Sequence, residues 1–205
     1  MKISFSPPDI TEAEINEVAE ALRSGWITTG PRTKQLEKQI AEWFGVPKAV
    51  CLNSATAALE LSLHVLGIGP GDEVITSAYT YTASASPVVH LGAKLVLVDT
   101  APDSYEMDYD KLAEAITEKT KVIIPVDIAG IPCDYDKIFA IVKAKQKLFH
   151  AGDNKIQQAL NRIIVVTDGA HAFGANWHRK MVGSVADFTS FSFLEHKFRT
   201  TEQVA

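Results

Sequence analysis

The first 45 residues show the spacing of two amphipathic helices. Apolar side chains recur every three or four residues in segments 11–24 and 33–44, with polar residues between them, and this period is that of an α-helix. Thr11 and Glu14 have the spacing of a capping box, and a glycine stands where each helix would end. We therefore predict an N-terminal helical segment over residues 1–45.

From residue 46 onward, short apolar runs alternate with segments of helical period. The predicted strands are 49–52, 73–76, 94–98, 121–126, 162–167 and 187–193. The predicted helices are 55–66, 81–91, 108–116 and 134–145, with a shorter helix within 146–160 and a hairpin within 177–182. Strands that alternate with helices of this length need crossover connections, which produce parallel strand pairs. The pattern predicts an α/β fold with a mostly parallel central sheet.

The carboxyl ends of these strands are the places where chemistry is expected, because ligands of parallel sheets bind there, near helix N-termini. Four segments follow such ends, and they begin after Leu52, Thr76, Thr167 and Phe193. We therefore expect chemistry in these four segments.

Composition narrows the class of protein. The chain has 205 residues, of which 46% are hydrophobic and 22% charged, and this balance is typical of a globular protein with a core rather than of a disordered chain. The formal net charge of −5 argues against nucleic acid and anionic membranes as partners, since both select basic surfaces. No apolar run reaches the roughly 18 residues of a membrane span, and the N-terminus does not resemble a signal peptide.

The two cysteines, Cys51 and Cys133, are far apart and form no CxxC motif. This usage disfavours a disulfide or zinc framework and favours a reducing compartment, so we expect a cytoplasmic protein. The six histidines include no HExxH pattern and no close pair, so no metal site is expected.

Segment 53–58, Asn-Ser-Ala-Thr-Ala-Ala, lies between a predicted strand and a predicted helix. Its small side chains would let backbone N–H groups approach a ligand, and a helix N-terminus carries partial positive charge, so the segment is a candidate phosphate site. The alternative is an ordinary helix N-cap by Ser54 or Thr56. The glycines of segment 67–71 follow a helix rather than a strand, so they predict a turn and not a dinucleotide fingerprint.

Three further residues carry candidate chemistry. Asp168 follows the apolar strand 162–167, and His171 lies three residues further on. A carboxylate there could hold a cationic ring nitrogen, with the histidine as a hydrogen-bond donor beside it; the alternative is a loop acid with a structural histidine. Lys197 follows the last predicted strand, and a lysine at an apolar pocket can act as a Schiff-base nucleophile, although most lysines are simply exposed.

Together these segments resemble the DegT/StrS family of sugar aminotransferases, which are fold-type I enzymes dependent on pyridoxal 5'-phosphate (PLP). The resemblance extends over nearly the whole chain. It rests on the motifs Gly25-Trp-Ile-Thr-Thr-Gly-Pro31, Asn53-Ser-Ala-Thr-Ala-Ala-Leu59, Thr80-Tyr-Thr-Ala83, Pro125-Val-Asp-Ile-Ala-Gly130, Asp168-Gly-Ala-His-Ala-Phe-Gly174 and Asp187-Phe-Thr-Ser-Phe-Ser-Phe193, followed by Lys197.

The resemblance implies a three-layer α/β sandwich, with residues 1–205 forming the large, PLP-binding domain of fold type I. In the family a small C-terminal domain follows, and these 205 residues do not include it. Because fold-type I enzymes usually share their sites across a dimer, a homodimer is also implied.

The resemblance assigns roles to single residues. Asp168 would pair with the protonated ring nitrogen, His171 would contact the phenolic oxygen of the ring, and Lys197 would form the Schiff base and shuttle protons. Tyr81 would stack on the ring. The phosphate would lie against Ser54, Ala55, Thr56, Ala57 and Ser192. The amino-donor or sugar side would be lined by Trp26, Thr28 and Thr29.

The reaction implied is transfer of an amino group, commonly from glutamate, to a keto-sugar carried on a nucleotide. Two alternatives stay open: a PLP-dependent sugar dehydratase, and a non-catalytic regulatory or binding protein on the same fold. Lys197 favours the aminotransferase, because the dehydratase branch has histidine at that position. A nicotinamide-dependent enzyme is disfavoured, since no GxGxxG follows a strand.

The last residues depart from the family pattern, which reads S-F-H-A-x-K-N and then T-T-x-E-G-G. The departures include Leu194, Phe198, Gln203 and Val204. Lys197 is therefore assigned from Ser192 on one side and from residues 200–201 on the other. The altered tail leads us to expect a truncated or frameshifted product. The altered lysine motif and the missing small domain favour the non-catalytic alternative.

Overall fold

A computed structural model of the chain describes residues 10–193, which form two compact units. The N-terminal unit contains residues 10–51 together with Phe193, and the larger unit contains residues 52–192. Lys197, the nucleophile implied by the sequence motifs, lies outside the described residues.

Two helices make up most of the N-terminal unit, as the apolar spacing predicted. Helix α1 is Glu12–Arg23 and helix α2 is Pro31–Phe44. The predicted capping box is present, with the Thr11 N–H donating to the Glu14 carboxylate at 2.7 Å. Helix α2 begins earlier than predicted because Pro31 suits the first turn of a helix, where no intrahelical N–H bond is needed.

A five-stranded parallel sheet forms the centre of the larger unit. The described part of this unit contains these five strands and a separate hairpin pair, numbered together in chain order: β1 (Glu73–Ser77), β2 (Lys94–Val98), β3 (Thr120–Ile124), β4 (Ile164–Asp168), β5 (Asn176–Trp177), β6 (Lys180–Met181) and β7 (Phe188–Ser190). The sheet order is β2-β1-β3-β4-β7, and each neighbouring pair is parallel. Strands β5 and β6 form the predicted hairpin. These findings confirm the α/β class with a mostly parallel central sheet.

Helices cover both faces of the sheet, which gives the predicted three layers. The helices are α3 (Ala55–Val65), α4 (Ser86–His90), α5 (Tyr109–Ala115), α6 (Tyr135–Ala144) and α7 (Lys155–Leu160). Helices α3 and α4 pack on one face against Val74 and its neighbours, whereas α5 and α6 pack on the other against Ile75 and its neighbours. Successive strand residues face opposite sides, so strands buried on both faces are apolar throughout. No helix within residues 10–193 combines the length and apolar character needed to cross a membrane.

The predicted strand at 49–52 is wrong: the structure gives this segment no strand. A strand is defined by hydrogen bonds to a neighbouring strand, and apolar character alone does not supply one. The Cys51 N–H donates instead to the Glu37 carboxylate of the same unit at 2.9 Å.

The predicted helix at 81–91 is two shorter pieces. A turn of 3₁₀ type covers Thr82–Ser84, and α4 starts afterwards, at Ser86. Pro87 has no N–H to continue a helical ladder from the preceding turn, so the chain bends there and restarts. Ser84 is the last residue of the turn before this break.

An ion pair holds strand β7 in place at the edge of the sheet. Arg162 donates to both oxygens of Asp187, at 2.8 and 2.6 Å, and Asp187 also accepts the Val165 N–H at 2.9 Å. The guanidinium lies over the Phe139 ring at 5.3 Å from its centroid. These contacts tie the segment before β7 to β4, so the carboxyl ends of the two strands are in register.

Candidate active site

The candidate residues of the larger unit gather at the carboxyl edge of the sheet. Asp168 ends β4 and is paired in register with Ser190, which ends β7. The Ser190 hydroxyl donates to the Ala55 carbonyl at 2.9 Å, and the Gly169 N–H donates to the Ser190 carbonyl at 2.9 Å. Ser190 therefore joins the strand end that carries Asp168 to the first turn of α3, where the phosphate site was predicted.

Asp168 is buried, with 5% of its surface exposed, and both of its carboxylate oxygens accept hydrogen bonds. The Ala170 N–H donates to Oδ1 at 3.1 Å, and the Ser84 hydroxyl donates to Oδ2 at 2.6 Å. Because the Ser84 proton is used in that bond, the Thr80 hydroxyl at 2.7 Å is the donor to Ser84. These donors fix the orientation of the carboxylate.

Gly169 allows the close approach of β7 to the Asp168 strand end. A Cβ at this position would lie 3.1 Å from both Thr189 Cγ2 and Phe191 Cε1. That distance is tighter than ordinary van der Waals contact, so the site needs a residue without a side chain here.

The N-terminus of α3 has the N-cap that was the alternative interpretation of segment 53–58. The Ser54 hydroxyl accepts the Ala57 N–H at 3.1 Å, and Ser54 has the extended backbone of an N-cap. The Ala57 N–H, which was predicted to face the phosphate, is thus engaged by Ser54. Ala55 and Thr56 occupy the first turn, where helix N–H groups point outward and the helix dipole is positive.

His171 lies beside a loop that follows β3. The Ala129 N–H donates to His171 Nδ1 at 3.3 Å, and a Cβ at Gly130 would lie 3.2 Å from the His171 carbonyl oxygen. A ring nitrogen that accepts a hydrogen bond carries no proton, so the neutral His171 ring has its proton on Nε2. His171 is an exposed side chain of this unit, and its Nε2–H is a donor.

Tyr81 and Ser192 also lie at this edge. Tyr81 is 78% exposed and directly precedes the turn that brings Ser84 to Asp168. Ser192 follows the end of β7 by two residues and is half-buried. Among the predicted cofactor residues, contacts through Ser190 join Asp168 to Ala55, and contacts through Ser84 join Asp168 to the turn after Tyr81.

The remaining predicted site residues do not belong to the described part of the larger unit. Trp26, Thr28 and Thr29 belong to the N-terminal unit, where the Trp26 indole N–H donates to the Thr29 carbonyl at 3.2 Å. Trp26 is 57% exposed. Lys197 is outside the described residues, so its role stays a prediction.

A second buried carboxylate at the site, Asp127, was missed by the sequence reasoning. It is 1% exposed; its oxygens accept the Cys133 N–H at 2.9 Å and the Tyr135 hydroxyl at 2.8 Å. Burial raises the pKa of Asp127 to about 6, and the hydrogen bonds from Cys133 and Tyr135 lower it in part. The only signal in the sequence was its place in the motif 125–130, directly after a strand.

Ser84 and Ser190 were missed as well. Each bonds to a partner distant in sequence, since Ser84 contacts Asp168 across 84 positions and Ser190 contacts Ala55 across 135. Neither serine belongs to a local pattern that distinguishes it from other serines, and only the strand order brings it to its partner.

Two relatives are similar to this chain over nearly its whole length. Spore coat polysaccharide biosynthesis protein SpsC of Bacillus subtilis is 39% identical over 195 residues, which cover 95% of this chain and 46% of SpsC. Spr1654 of Streptococcus pneumoniae, assigned as a sugar aminotransferase, is 60% identical in its PLP form, with a TM-score of 0.93 and coverage of 95% of this chain and 50% of that one. Spr1654 also has apo and pyridoxamine phosphate (PMP) forms.

A more distant structure represents the other chemistry of this fold. The GDP-4-keto-6-deoxy-D-mannose-3-dehydratase of E. coli, with bound hydrated PLP, is 26% identical, with a TM-score of 0.76 over 89% of this chain and 44% of the dehydratase. This chain spans about half the length of the relatives that it matches.

The family assignment follows from the match along the whole sequence. The sequence pattern of the DegT/DnrJ/EryC1/StrS aminotransferases matches residues 8–203, which include every motif used above. Together with the fold and the PLP and PMP forms of Spr1654, the match confirms the family, the fold type and the family cofactor that the motifs implied. The chain belongs to the DegT/DnrJ/EryC1/StrS aminotransferase family.

Proposed function

We propose that this chain is the PLP-binding part of an enzyme that transfers an amino group from an amino acid, glutamate in the first instance, to a nucleotide-linked keto-sugar. The observation that carries the proposal is Asp168, a buried carboxylate at the end of β4 that two protein donors orient and that Ser190 links to the N-terminus of α3. Spr1654, solved with PLP and with PMP, supports the same cofactor here.

The described residues fit the polar groups of PLP. The outward N–H groups and positive dipole end of α3, at Ala55 and Thr56, suit a phosphate. Asp168 is a buried carboxylate that suits a protonated ring nitrogen, and the Nε2–H of His171 suits an anionic phenolic oxygen. When bound, the pyridinium ring supplies an electron sink for the substrate.

Residues of the chain itself would bind and orient the cofactor and the substrate and move the proton. Asp168 would hold a proton on the ring nitrogen of the cofactor, because its buried carboxylate would accept a hydrogen bond from that nitrogen. Tyr81 offers an exposed ring for stacking at the same edge. Lys197 is proposed as the residue that attaches the cofactor and moves the proton at its Nζ, and Trp26, Thr28 and Thr29 are proposed to line the substrate side.

We further propose that residues 1–205 correspond to the large domain of the family, that the active protein is a homodimer, and that it works in the cytoplasm. The free thiols of Cys51 and Cys133 suit a reducing compartment. Sedimentation velocity tests the homodimer, because a particle of one 22.3 kDa chain would contradict it.

The experiment is an absorbance titration with PLP followed by borohydride reduction and peptide mapping. We expect a yellow complex, cofactor trapped on Lys197, and loss of the visible band when glutamate is added. Asp168→Asn should weaken PLP binding about tenfold or more, since a neutral amide no longer selects the cationic ring. Lys155→Ala, which removes an exposed lysine of α7, is the matched control. A protein that takes up no PLP would contradict the proposal.

The same experiment separates the two alternatives. Sugar dehydratases are represented among the structural neighbours, and His196 stands beside Lys197 in the sequence. Tight PLP binding without trapping on Lys197 would favour the dehydratase. Trapping on Lys197 without a response to any amino donor would favour a binding protein on the same fold.

A further inference from the structure

The buried Asp127 lies beside Asp168, and the proposed function assigns no role to it. Its carboxylate is buried, and it accepts the Cys133 N–H at Oδ1 (2.9 Å) and the Tyr135 hydroxyl at Oδ2 (2.8 Å). The Tyr135 hydroxyl is in turn 3.0 Å from the Thr167 hydroxyl. Since Tyr135 donates to Asp127, Thr167 is the donor to Tyr135.

The bond to Cys133 closes a loop on itself. The chain leaves Asp127, passes through Ala129 and Gly130 with φ of +53° and +79°, and returns to the same carboxylate at Cys133. A left-handed backbone is unfavourable for alanine, so it persists only where the surrounding contacts hold it. The closing bond is such a contact, because it fixes both ends of the turn.

The top of this loop contacts His171. The Ala129 N–H donates to His171 Nδ1, and the Gly130 backbone passes close beneath the His171 carbonyl. The base of the loop contacts the neighbouring strand end, since the Asp127 N–H donates to the Asp168 carbonyl at 3.0 Å. One loop therefore touches both residues that are proposed to face the cofactor ring.

We propose that Asp127 is a positioning residue that closes the loop from residue 127 to residue 133 and thereby holds the Ala129 N–H against His171 Nδ1. The proton of the neutral His171 ring then stays on Nε2, where it can be donated to an anionic oxygen. The meaning of this donor for PLP rests on the proposed function, whereas the link from Asp127 to His171 does not.

A matched pair of substitutions tests the link without any cofactor. Asp127→Leu and Asp127→Asn have nearly the same size, but only asparagine keeps an oxygen that can accept the Cys133 N–H. In Asp127→Leu we expect amide exchange at Cys133 to become about tenfold faster or more. In the same variant the ¹⁵N shifts of His171 should move toward a mixture of its two tautomers. Asp127→Asn should retain the wild-type pattern in both measurements.

Two further variants locate the effect. Tyr135→Phe removes the other donor to the carboxylate and leaves the Cys133 bond, so the His171 shifts should stay as in the wild type. Gly130→Ala adds a Cβ 3.2 Å from the His171 carbonyl at a positive φ, so it should displace the loop from His171 while Cys133 stays protected. This variant leaves the buried polar cluster intact, so it tests the contact between the loop and His171 even if Asp127→Leu does not fold. Wild-type His171 shifts in either Asp127→Leu or Gly130→Ala would overturn the proposal.

A double-mutant cycle connects the loop to the cofactor. We expect Asp127→Leu to weaken PLP binding about tenfold in the wild-type background and less than about twofold in a His171→Ala background, because its effect passes through His171. Equal losses in both backgrounds would contradict the proposal. If the wild-type protein binds no PLP, the proposed function fails, and the amide exchange and histidine shifts still decide the role of Asp127.

Discussion

At the scale of single residues, the chemistry of Asp168 depends on a partner from another element. Ser84 is fully buried and donates to the carboxylate at 2.6 Å. A hydrogen bond to a charged group contributes about 1.5–3 kcal/mol, and the loss is larger when the charged partner stays buried without its donor. We therefore expect the loss of the Ser84 hydroxyl to affect both the stability of the protein and the Asp168 carboxylate.

Ser84→Ala should lower the free energy of unfolding by about 2 kcal/mol and should also weaken PLP binding, because Asp168 loses the donor to Oδ2. Denaturant unfolding with and without PLP measures both effects. Thr82→Ala, which removes an exposed hydroxyl two residues earlier in the same turn, is the control and should change stability by less than about 0.5 kcal/mol. Equal effects of the two substitutions would show that the contact with Asp168 has no special weight.

Asp127 predicts a pH dependence of stability. Burial raises its pKa from 3.8 to about 6 in the folded protein, where Cys133, Tyr135 and Asp168 face it. The folded state therefore binds the proton more tightly than the unfolded state, and the associated stability is present at low pH and lost as pH rises through about 6.

The wild-type protein should lose about 1.4 kcal/mol from this group between pH 5 and pH 7.5, relative to Asp127→Asn, which does not titrate. Urea unfolding of both proteins across this range is the measurement, and the difference between them removes the contributions of all other groups. A difference that is flat with pH, or that grows in the opposite direction, would contradict the raised pKa.

Sequence alone identified some of these residues and not others. Asp168 and His171 follow a strongly apolar strand, so their position at a ligand-binding edge could be predicted from the fold class. Ser84 and Asp127 could not, because their importance comes from burial and from partners on other elements. The place of Ala57 near the start of a helix was predicted correctly. The hydrogen bond from its N–H to Ser54 depends on backbone angles that composition does not reveal.

At the scale of elements, β7 is held at its edge by side chains as well as by the strand ladder. It is only three residues long, and the pair of Arg162 with Asp187 fixes the segment that leads into it. Because β7 carries Ser190 and so contacts the first turn of α3, the ion pair sets the relative position of two parts of the proposed phosphate site.

Arg162→Ala should cost about 2–4 kcal/mol, because it leaves a largely buried Asp187 carboxylate without its bidentate partner. Lys38→Ala is the matched control: it breaks the Lys38–Glu42 pair, whose side chains are 76% and 65% exposed, and should change stability by less than about 0.5 kcal/mol. Thermal or denaturant unfolding compares them. Similar costs would mean that the Arg162 pair acts as an ordinary surface contact.

Most helices and strands were predictable because the spacing of apolar residues shows which side chains are buried. A spacing of three to four residues indicates a helix, and a short apolar run indicates a buried strand. The five strands of the sheet were predicted in the correct places for this reason. The segment 49–52 has the same apolar character but no strand partner among the described residues, and pairing is a property of two segments that a single segment does not encode. The break before α4 depends on Pro87, whose missing N–H is a property of the sequence itself.

At the scale of the whole molecule, the larger unit has two separate apolar cores, one on each face of one sheet. Val88 of α4 belongs to the first, with α3, and Val142 of α6 belongs to the second, with α5. Both valines are almost fully buried, at 0% and 1% exposure. The two cores share only the strands between them, so each side chain packs against neighbours that the other does not touch.

Val88→Ala and Val142→Ala should therefore each cost about 2 kcal/mol, from the loss of two buried methyl groups and the space that they leave. The double variant should cost the sum within about 0.5 kcal/mol, because the two sites lie on opposite faces and share no side-chain partner. Both single variants should still unfold in one transition, since each core depends on the same five strands and neither face can be exposed alone. Urea unfolding followed by circular dichroism and by tryptophan fluorescence tests these expectations together. A coupling well above 0.5 kcal/mol, or two transitions that separate in one variant, would show that the sheet does not divide the core as its packing indicates.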